Sequence, residues 1–179
     1  MKHLFLVRHA KSSWADETLS DRERPLSARG VNQLAPLGNA LKSVGAFEGE
    51  VYSSSARRAV ATLQGILPDT VAAERYHTLS ALYTFDYRRL LAWLEEQADA
   101  PQITLVGHNP ALLELAQSLL KQPPEQLPTA SVIHIRLSIK HWRQIGRGKG
   151  KLVTLITPKD YSYAHFERKL KKRARTAGD

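Results

Sequence analysis

Two short apolar runs, each ending on a histidine, constrain this chain more than any other feature. The first is Leu4-Phe5-Leu6-Val7-Arg8-His9-Ala10, and the second is Ile103-Thr104-Leu105-Val106-Gly107-His108-Asn109-Pro110. Each run has the length of a buried strand, and polar or turn-forming residues follow each histidine. In an open α/β sheet, ligands bind beyond the carboxyl ends of parallel strands. Two imidazoles delivered to that edge, one of them beside an arginine, make an anion site with a candidate nucleophile.

The rest of the pattern predicts one α/β domain over residues 1–167 and a basic tail over 168–179. After a strand at 4–7 comes a helix at 27–44, with Ser27 as N-cap and Gly45 as its stop. Pro36 inside that helix predicts a kink or a split. A strand at 51–53 leads into a helix at 56–67 that ends before Pro68, and 72–76 reads as another short strand. Residues 86–98 form an amphipathic helix, with Leu90, Leu91, Trp93 and Leu94 inward and Arg88, Arg89, Glu95 and Glu96 outward. A strand at 102–106 and a leucine-rich helix at 110–121 follow, then a loop at 122–128 with three prolines. Alternation over 131–138 and a return at 151–157 predict a late antiparallel hairpin. The sum is a single-domain α/β fold with a mixed, mostly parallel sheet and helices on both faces.

Composition closes several routes. The 179 residues include no cysteine, which excludes disulfides, thiolate metal sites and a cysteine nucleophile. The first apolar run is too short for a signal segment or a membrane span, so a cytoplasmic location is expected. With 26 Lys and Arg against 17 Asp and Glu, the formal charge is +9, which favours anionic partners. Part of that excess lies in Arg168-Lys169-Leu170-Lys171-Lys172-Arg173-Ala174-Arg175, which reads as a solvated tail or as a handle for a negative partner. Aromatic residues make up only 7% and do not interleave with the basic ones, which argues against a nucleic-acid stacking platform.

The two histidines come with devices for holding an anion. Beside His9 stands Arg8, whose planar guanidinium matches phosphate oxygens. At His108, Gly107 permits close backbone approach, Asn109 can cap the following helix, and Pro110 suits its first position. A third junction, Val51-Tyr52-Ser53-Ser54-Ser55, repeats the logic: Ser55 as N-cap would place Arg58 in the first helical turn. Alternatively, Arg57 and Arg58 are both surface residues of an amphipathic helix. In Asp21-Arg22-Glu23-Arg24-Pro25-Leu26-Ser27, Arg24 either reaches the same anion or pairs with Asp21 or Glu23. Sequence alone leaves both readings open.

Four pieces in order carry a family resemblance. They are Leu6-Val7-Arg8-His9-Ala10-Lys11-Ser12-Ser13-Trp14, Arg24-Pro25-Leu26-Ser27-Ala28-Arg29-Gly30, Ser53-Ser54-Ser55-Ala56-Arg57-Arg58-Ala59-Val60-Ala61-Thr62 and Val106-Gly107-His108-Asn109-Pro110. Together they resemble the histidine phosphatase, or phosphoglycerate-mutase-like, superfamily, and within it the small SixA-type phosphohistidine phosphatases. The resemblance implies that His9 is a nucleophile that is transiently phosphorylated. Arg8, Arg58 and His108 would form the phosphate pocket, assisted by Arg24, with Asn109 as a further substrate contact. It implies no metal and no cofactor, because arginines supply the positive charge. Its substrate would be phosphohistidine in a protein, with a small phosphorylated molecule as the alternative and a non-catalytic polyanion-binding module as a third. Ala10 stands where many relatives have glycine, which is tolerable if the backbone there keeps a negative φ. Larger relatives use a carboxylic acid between the second arginine and second histidine. Here that stretch, Leu79 to Asp86, holds only Asp86, which reads as an N-cap.

Overall fold

The computed structural model describes residues 1–161. The proposed division at 167/168 and the basic run after it lie outside the described residues. Six strands form one sheet: β1 (Lys2–Arg8), β2 (Glu50–Ser54), β3 (Tyr76–Leu79), β4 (Gln102–Gly107), β5 (Val132–Leu137) and β6 (Gly150–Ile156). Their order is β3-β2-β4-β1-β5-β6. The first four are parallel to one another, whereas β5 runs antiparallel to both β1 and β6. This is the expected mixed, mostly parallel sheet with its late hairpin.

Alternation along the strands creates two cores. Leu4 and Leu6 of β1, Ile103 and Leu105 of β4, and Ile133 and Ile135 of β5 face α3 (Tyr87–Glu95) and α4 (Ala111–Leu119). Phe5, Val7, Val51, Val106 and Val132 face α1 (Ala28–Ser43) and α2 (Arg57–Ile66). Each fully buried side chain of this kind contributes roughly 1.5–3 kcal/mol relative to exposure. β4 is buried along its whole length, and its two polar side chains, Gln102 and Thr104, donate to the Gly45 and Ala46 carbonyls. A last turn of helix, α5 (Pro158–Tyr161), seats the buried Tyr161 hydroxyl on the Ala130 carbonyl.

Several local expectations shift. Ser27 caps α1 by accepting from Gly30 N at 3.1 Å, and Gly45 after the helix takes φ +75°. The helix runs unbroken through Pro36, so the expected split does not occur. The cap of α2 is not Ser55. Ser54 Oγ accepts from Ala56 N, while Ser55 Oγ accepts from Arg22 at 2.5 Å. The strand expected at 72–76 lies at Tyr76–Leu79, where it pairs with β2 in the register Val51 to Tyr76, and residues 73–75 form a 3-10 turn. Asp86 caps α3 as expected, accepting from Arg88 N at 3.0 Å. Asn109 does not cap α4. Its Nδ2 donates to the Leu127 carbonyl at 2.9 Å, and the Asn109–Pro110 peptide is cis.

Candidate active site

β1 and β4 are neighbours in parallel register, with Arg8 opposite Gly107. The next residue of each strand is a histidine, so the two imidazoles emerge side by side at the carboxyl edge of the sheet. Adjacent strands lie about 4.8 Å apart, and the His9 and His108 ring centroids are 5.2 Å apart. β2 lies on the other side of β4, so its last residue, Ser54, reaches His108, and the first turn of α2 brings Arg58 between the rings. Arg58 is 2% exposed, while its neighbour Arg57 is on the surface. The surface reading therefore holds for Arg57 alone.

His9 has a fixed tautomer. Its Nδ1 lies 2.7 Å from the Ala10 carbonyl, which can only accept, so Nδ1 carries the proton and Nε2 the lone pair. Arg58 Nε donates to that Nε2 at 3.3 Å. Burial lowers the His9 pKa, the Ala10 contact opposes it, and the charges of Arg58, Arg8 and Arg24 lower it further, to about 4. Burial, more than the arginine charges, keeps this ring neutral. Ala10 keeps a negative φ and donates its N–H to Thr62 Oγ1 at 3.0 Å, so glycine is not needed there.

His108 is 1% exposed. Its Nδ1 lies 3.4 Å from Arg58 Nη2, which can only donate, so Nδ1 holds a lone pair and Nε2–H donates to Ser54 Oγ at 2.7 Å. Burial, then the neighbouring His9 and Arg58, push its pKa down to about 3, with Asp21 opposing. Gly107 has no positive φ. A β-carbon there would lie 3.2 Å from Leu105 Cδ2 and 3.4 Å from Leu112 Cδ2, tight but against side chains only, so neither an unusual dihedral nor a backbone contact demands glycine at this turn.

The guanidiniums are held from behind. Arg8 Nη1 donates to the Leu127 carbonyl at 2.9 Å, and its buried Nε has no partner among the described residues. The buried Oδ1 of Asn109 is likewise unpartnered. Arg24 does pair with Asp21, as one sequence reading had it: Nη1 to Oδ1 is 3.1 Å, while Nε donates to the Ser13 carbonyl and Nη2 to Ser12 Oγ. It also lines the same cavity as the histidines, so the two readings are not exclusive. That cavity measures about 210 Å³ and is lined by Arg8, His9, Arg24, Arg58, His108 and Asn109, with Trp14, Asp21 and Phe85 at its wall. It brings together every residue the sequence nominated. The larger surface hollows, of about 550 to 720 Å³, contain none of them.

Asp21 is the main residue that sequence reasoning underrated. It accepts from Arg24 on Oδ1, from Arg58 Nη2 at 3.0 Å and Tyr83 Oη at 2.5 Å on Oδ2, and its carbonyl accepts from Arg58 Nη1 at 2.6 Å. Burial pushes its pKa up, but the hydrogen bonds from Tyr83 and Arg58, the Arg58 charge and the Arg24 hydrogen bond pull it down to about 2. The only signal for it was its place three residues before Arg24. Asp86 accepts from Arg88 at 3.0 Å, and that bond lowers its pKa, so it is an ionised cap and not an acid of the site. Among the described residues, no group of three or more His, Asp and Glu is gathered as a metal site. No described helix is long and apolar enough to cross a membrane.

Fold and side chains together define a class: an α/β protein that frames a pair of neutral imidazoles with guanidiniums at the carboxyl edge of parallel strands. The family model for the histidine phosphatase superfamily (branch 1) matches residues 4–87. An uncharacterized chloroplastic protein of Arabidopsis thaliana is 28% identical over 171 residues, covering 88% of this chain and 78% of that protein. An uncharacterized protein of Mycobacterium tuberculosis is 27% identical over 166 residues, covering 86% of this chain and 100% of that one. Among solved structures, SixA of Agrobacterium tumefaciens, a proposed phosphohistidine phosphatase, superposes with TM-score 0.73 at 19% identity, over 88% of this chain and 98% of that one. The alpha-ribazole phosphatase of Shigella flexneri does so with TM-score 0.62 at 20% identity, over 87% and 96%. Over residues 4–87 the chain is similar to the histidine phosphatase superfamily, and its fold is similar to that of the SixA and alpha-ribazole phosphatase structures.

Proposed function

We propose that this protein is a metal-independent phosphatase of the SixA type that acts through a phosphohistidine on His9, with phosphohistidine in proteins as its substrate. One observation carries the reading: His9 presents an unprotonated Nε2 beside Arg58, 5.2 Å ring to ring from His108, in a cavity that Arg8 and Arg24 also line. Phosphoryl transfer asks mainly for such positioning and for charge stabilisation. The Nε2 lone pair forms the new bond to phosphorus. The electron pair of the breaking bond goes to the leaving nitrogen, whose ring is protonated by solvent and departs as neutral imidazole. Water then attacks the phosphohistidine and releases orthophosphate and neutral His9. Arg8 Nε, buried and unpartnered, is a donor ready for a phosphoryl oxygen. Arg58 and His108 face the same anion, and Asn109 lines its edge.

The acid inventory supports a phosphoramidate over an alkyl ester. Asp21 is the one carboxylate lining the cavity among the described residues, and a pKa of about 2 keeps it ionised at neutral pH. An alkoxide leaving group needs a proton donor at that moment, while a protonated imidazole does not. His9→Ala is expected to abolish turnover, whereas a non-catalytic polyanion-binding module would keep its binding nearly intact in that variant. The test is brief exposure to acetyl phosphate or a phosphohistidine protein, followed by mapping of the phosphoryl adduct. An acid-labile, base-stable adduct on His9 is expected. Its absence during steady turnover would falsify the covalent route, and hydrolysis of sugar phosphates as fast as phosphohistidine would overturn the substrate assignment.

A further inference from the structure

The mouth of the cavity carries two side chains that the phosphoryl chemistry does not use. Six large apolar side chains are exposed among the described residues, and two of them, Trp14 and Phe85, line this one cavity. Scattered exposed hydrophobics need no explanation, but two exposed aromatics lining one cavity call for one. Trp14 is 71% exposed even though the Arg24 guanidinium sits 3.2 Å from its ring centroid. One face of the indole is therefore backed by a cation whose charge Asp21 balances, and the other is open. Phe85 is 46% exposed and stands 5.6 Å from the His108 ring and 5.7 Å from Tyr83 in a T-shaped contact. The two rings are anchored, not loose.

The size of the cavity places the leaving group among these rings. At about 210 Å³ it is smaller than the roughly 300–1,000 Å³ that drug-sized ligands occupy. It takes the phosphoryl group and leaves the rest of the substrate at the mouth. We propose that Trp14 and Phe85 form an aromatic platform that holds the imidazole ring of phosphohistidine at the mouth and sets the preference for a planar leaving group. The proposal rests on the phosphatase reading above. Offset or edge contacts between flat rings add to area burial. A ring protonated by solvent gains further from the π faces, which favours the form that leaves as neutral imidazole. The platform thus contributes where a general acid is missing.

The test compares two substrates with the same phosphorus–nitrogen bond, phosphoimidazole and phosphoramidate, which differ in the ring. In Trp14→Ala and in Phe85→Ala, the ratio of kcat/KM for phosphoimidazole to that for phosphoramidate is expected to fall about tenfold, and Trp14→Phe is expected to restore most of it. Equal losses on both substrates would mean that Trp14 serves only to hold Arg24, and would overturn the proposal, as would an unchanged ratio. A wild-type protein active on esters but inactive on phosphoimidazole and phosphohistidine would remove the underlying reading as well. Wild-type activity with unaffected variants would remove the platform alone.

Discussion

The two ring nitrogens of His108 meet partners of unequal freedom. Arg58 can only donate to Nδ1, whereas the Ser54 hydroxyl at Nε2 can donate or accept. When a phosphoryl oxygen draws the Arg58 donors, Nδ1 loses the reason to hold a lone pair. A Ser54 hydroxyl that turns to donate to Nε2 then favours the tautomer with its proton on Nδ1, facing the anion. With a pKa of about 3, His108 does not reach that state by gaining a second proton at neutral pH. Ser54 is thus a positioning residue. Ser54→Ala is expected to lower kcat on a phosphohistidine substrate about 10- to 100-fold, less than the roughly 100- to 1000-fold for losing a direct transition-state donor because Ser54 acts through His108, with KM little changed. Ser54→Thr, which keeps the hydroxyl, should recover it. A loss confined to stability, from the missing acceptor for Ala56 N, would show that Ser54 is only a cap.

At the scale of elements, the fastening of α1 to the loop after His9 decides whether the site keeps its shape. The Lys11 carbonyl accepts from Ser27 N at 2.9 Å and from Ser27 Oγ at 3.1 Å, and Gly30 lies directly against it. A β-carbon on Gly30 would come 2.0 Å from that oxygen. Alanine gains up to about 1 kcal/mol of helix propensity over glycine, but backbone overlap of this depth forces the helix away. Gly30→Ala is expected to destabilise by roughly 1–3 kcal/mol, read as a lower denaturant midpoint, and to reduce turnover because Lys11, Ser12 and Trp14 line the cavity. A midpoint above wild type would contradict the packing described. Much of this organisation was legible in the sequence. The strand–histidine junctions and the Ser27 cap are local signals that period and turn chemistry report directly. What escaped was long-range. Asn109 looks like a cap until Leu127, eighteen residues away, takes its amide. β3 begins at Tyr76 because pairing with β2 sets its register, with Arg75 bonded to the Phe47 and Gly49 carbonyls just before it. Asp21 gained its place only because Tyr83 and Arg58 close around it.

Across the whole molecule, burying neutral imidazoles makes stability depend on pH. His9 and His108 have pKa values of about 4 and 3, and His134, stacked on Phe5 and hydrogen-bonded to His3, is lowered by burial and then by His3 to about 4. In the unfolded chain each returns to the ordinary value near 6.5. Between about pH 4 and 6.5 the unfolded chain therefore binds more protons than the folded one, so folding stability rises with pH through that window. Each extra proton contributes up to about 1.4 kcal/mol per pH unit. Asp21 acts in a separate range. Its depressed pKa adds stability that is present above about 4 and is lost as pH falls towards 2. Denaturant unfolding at closely spaced pH values is expected to show stability falling steadily from pH 6.5 to 4, with little change between 7 and 8. In His108→Gln the slope over that window should be shallower by close to one proton, because one buried neutral imidazole is gone. A variant slope equal to wild type would mean that His108 is already protonated in the folded protein, and the lone pair assigned to its Nδ1 would be wrong.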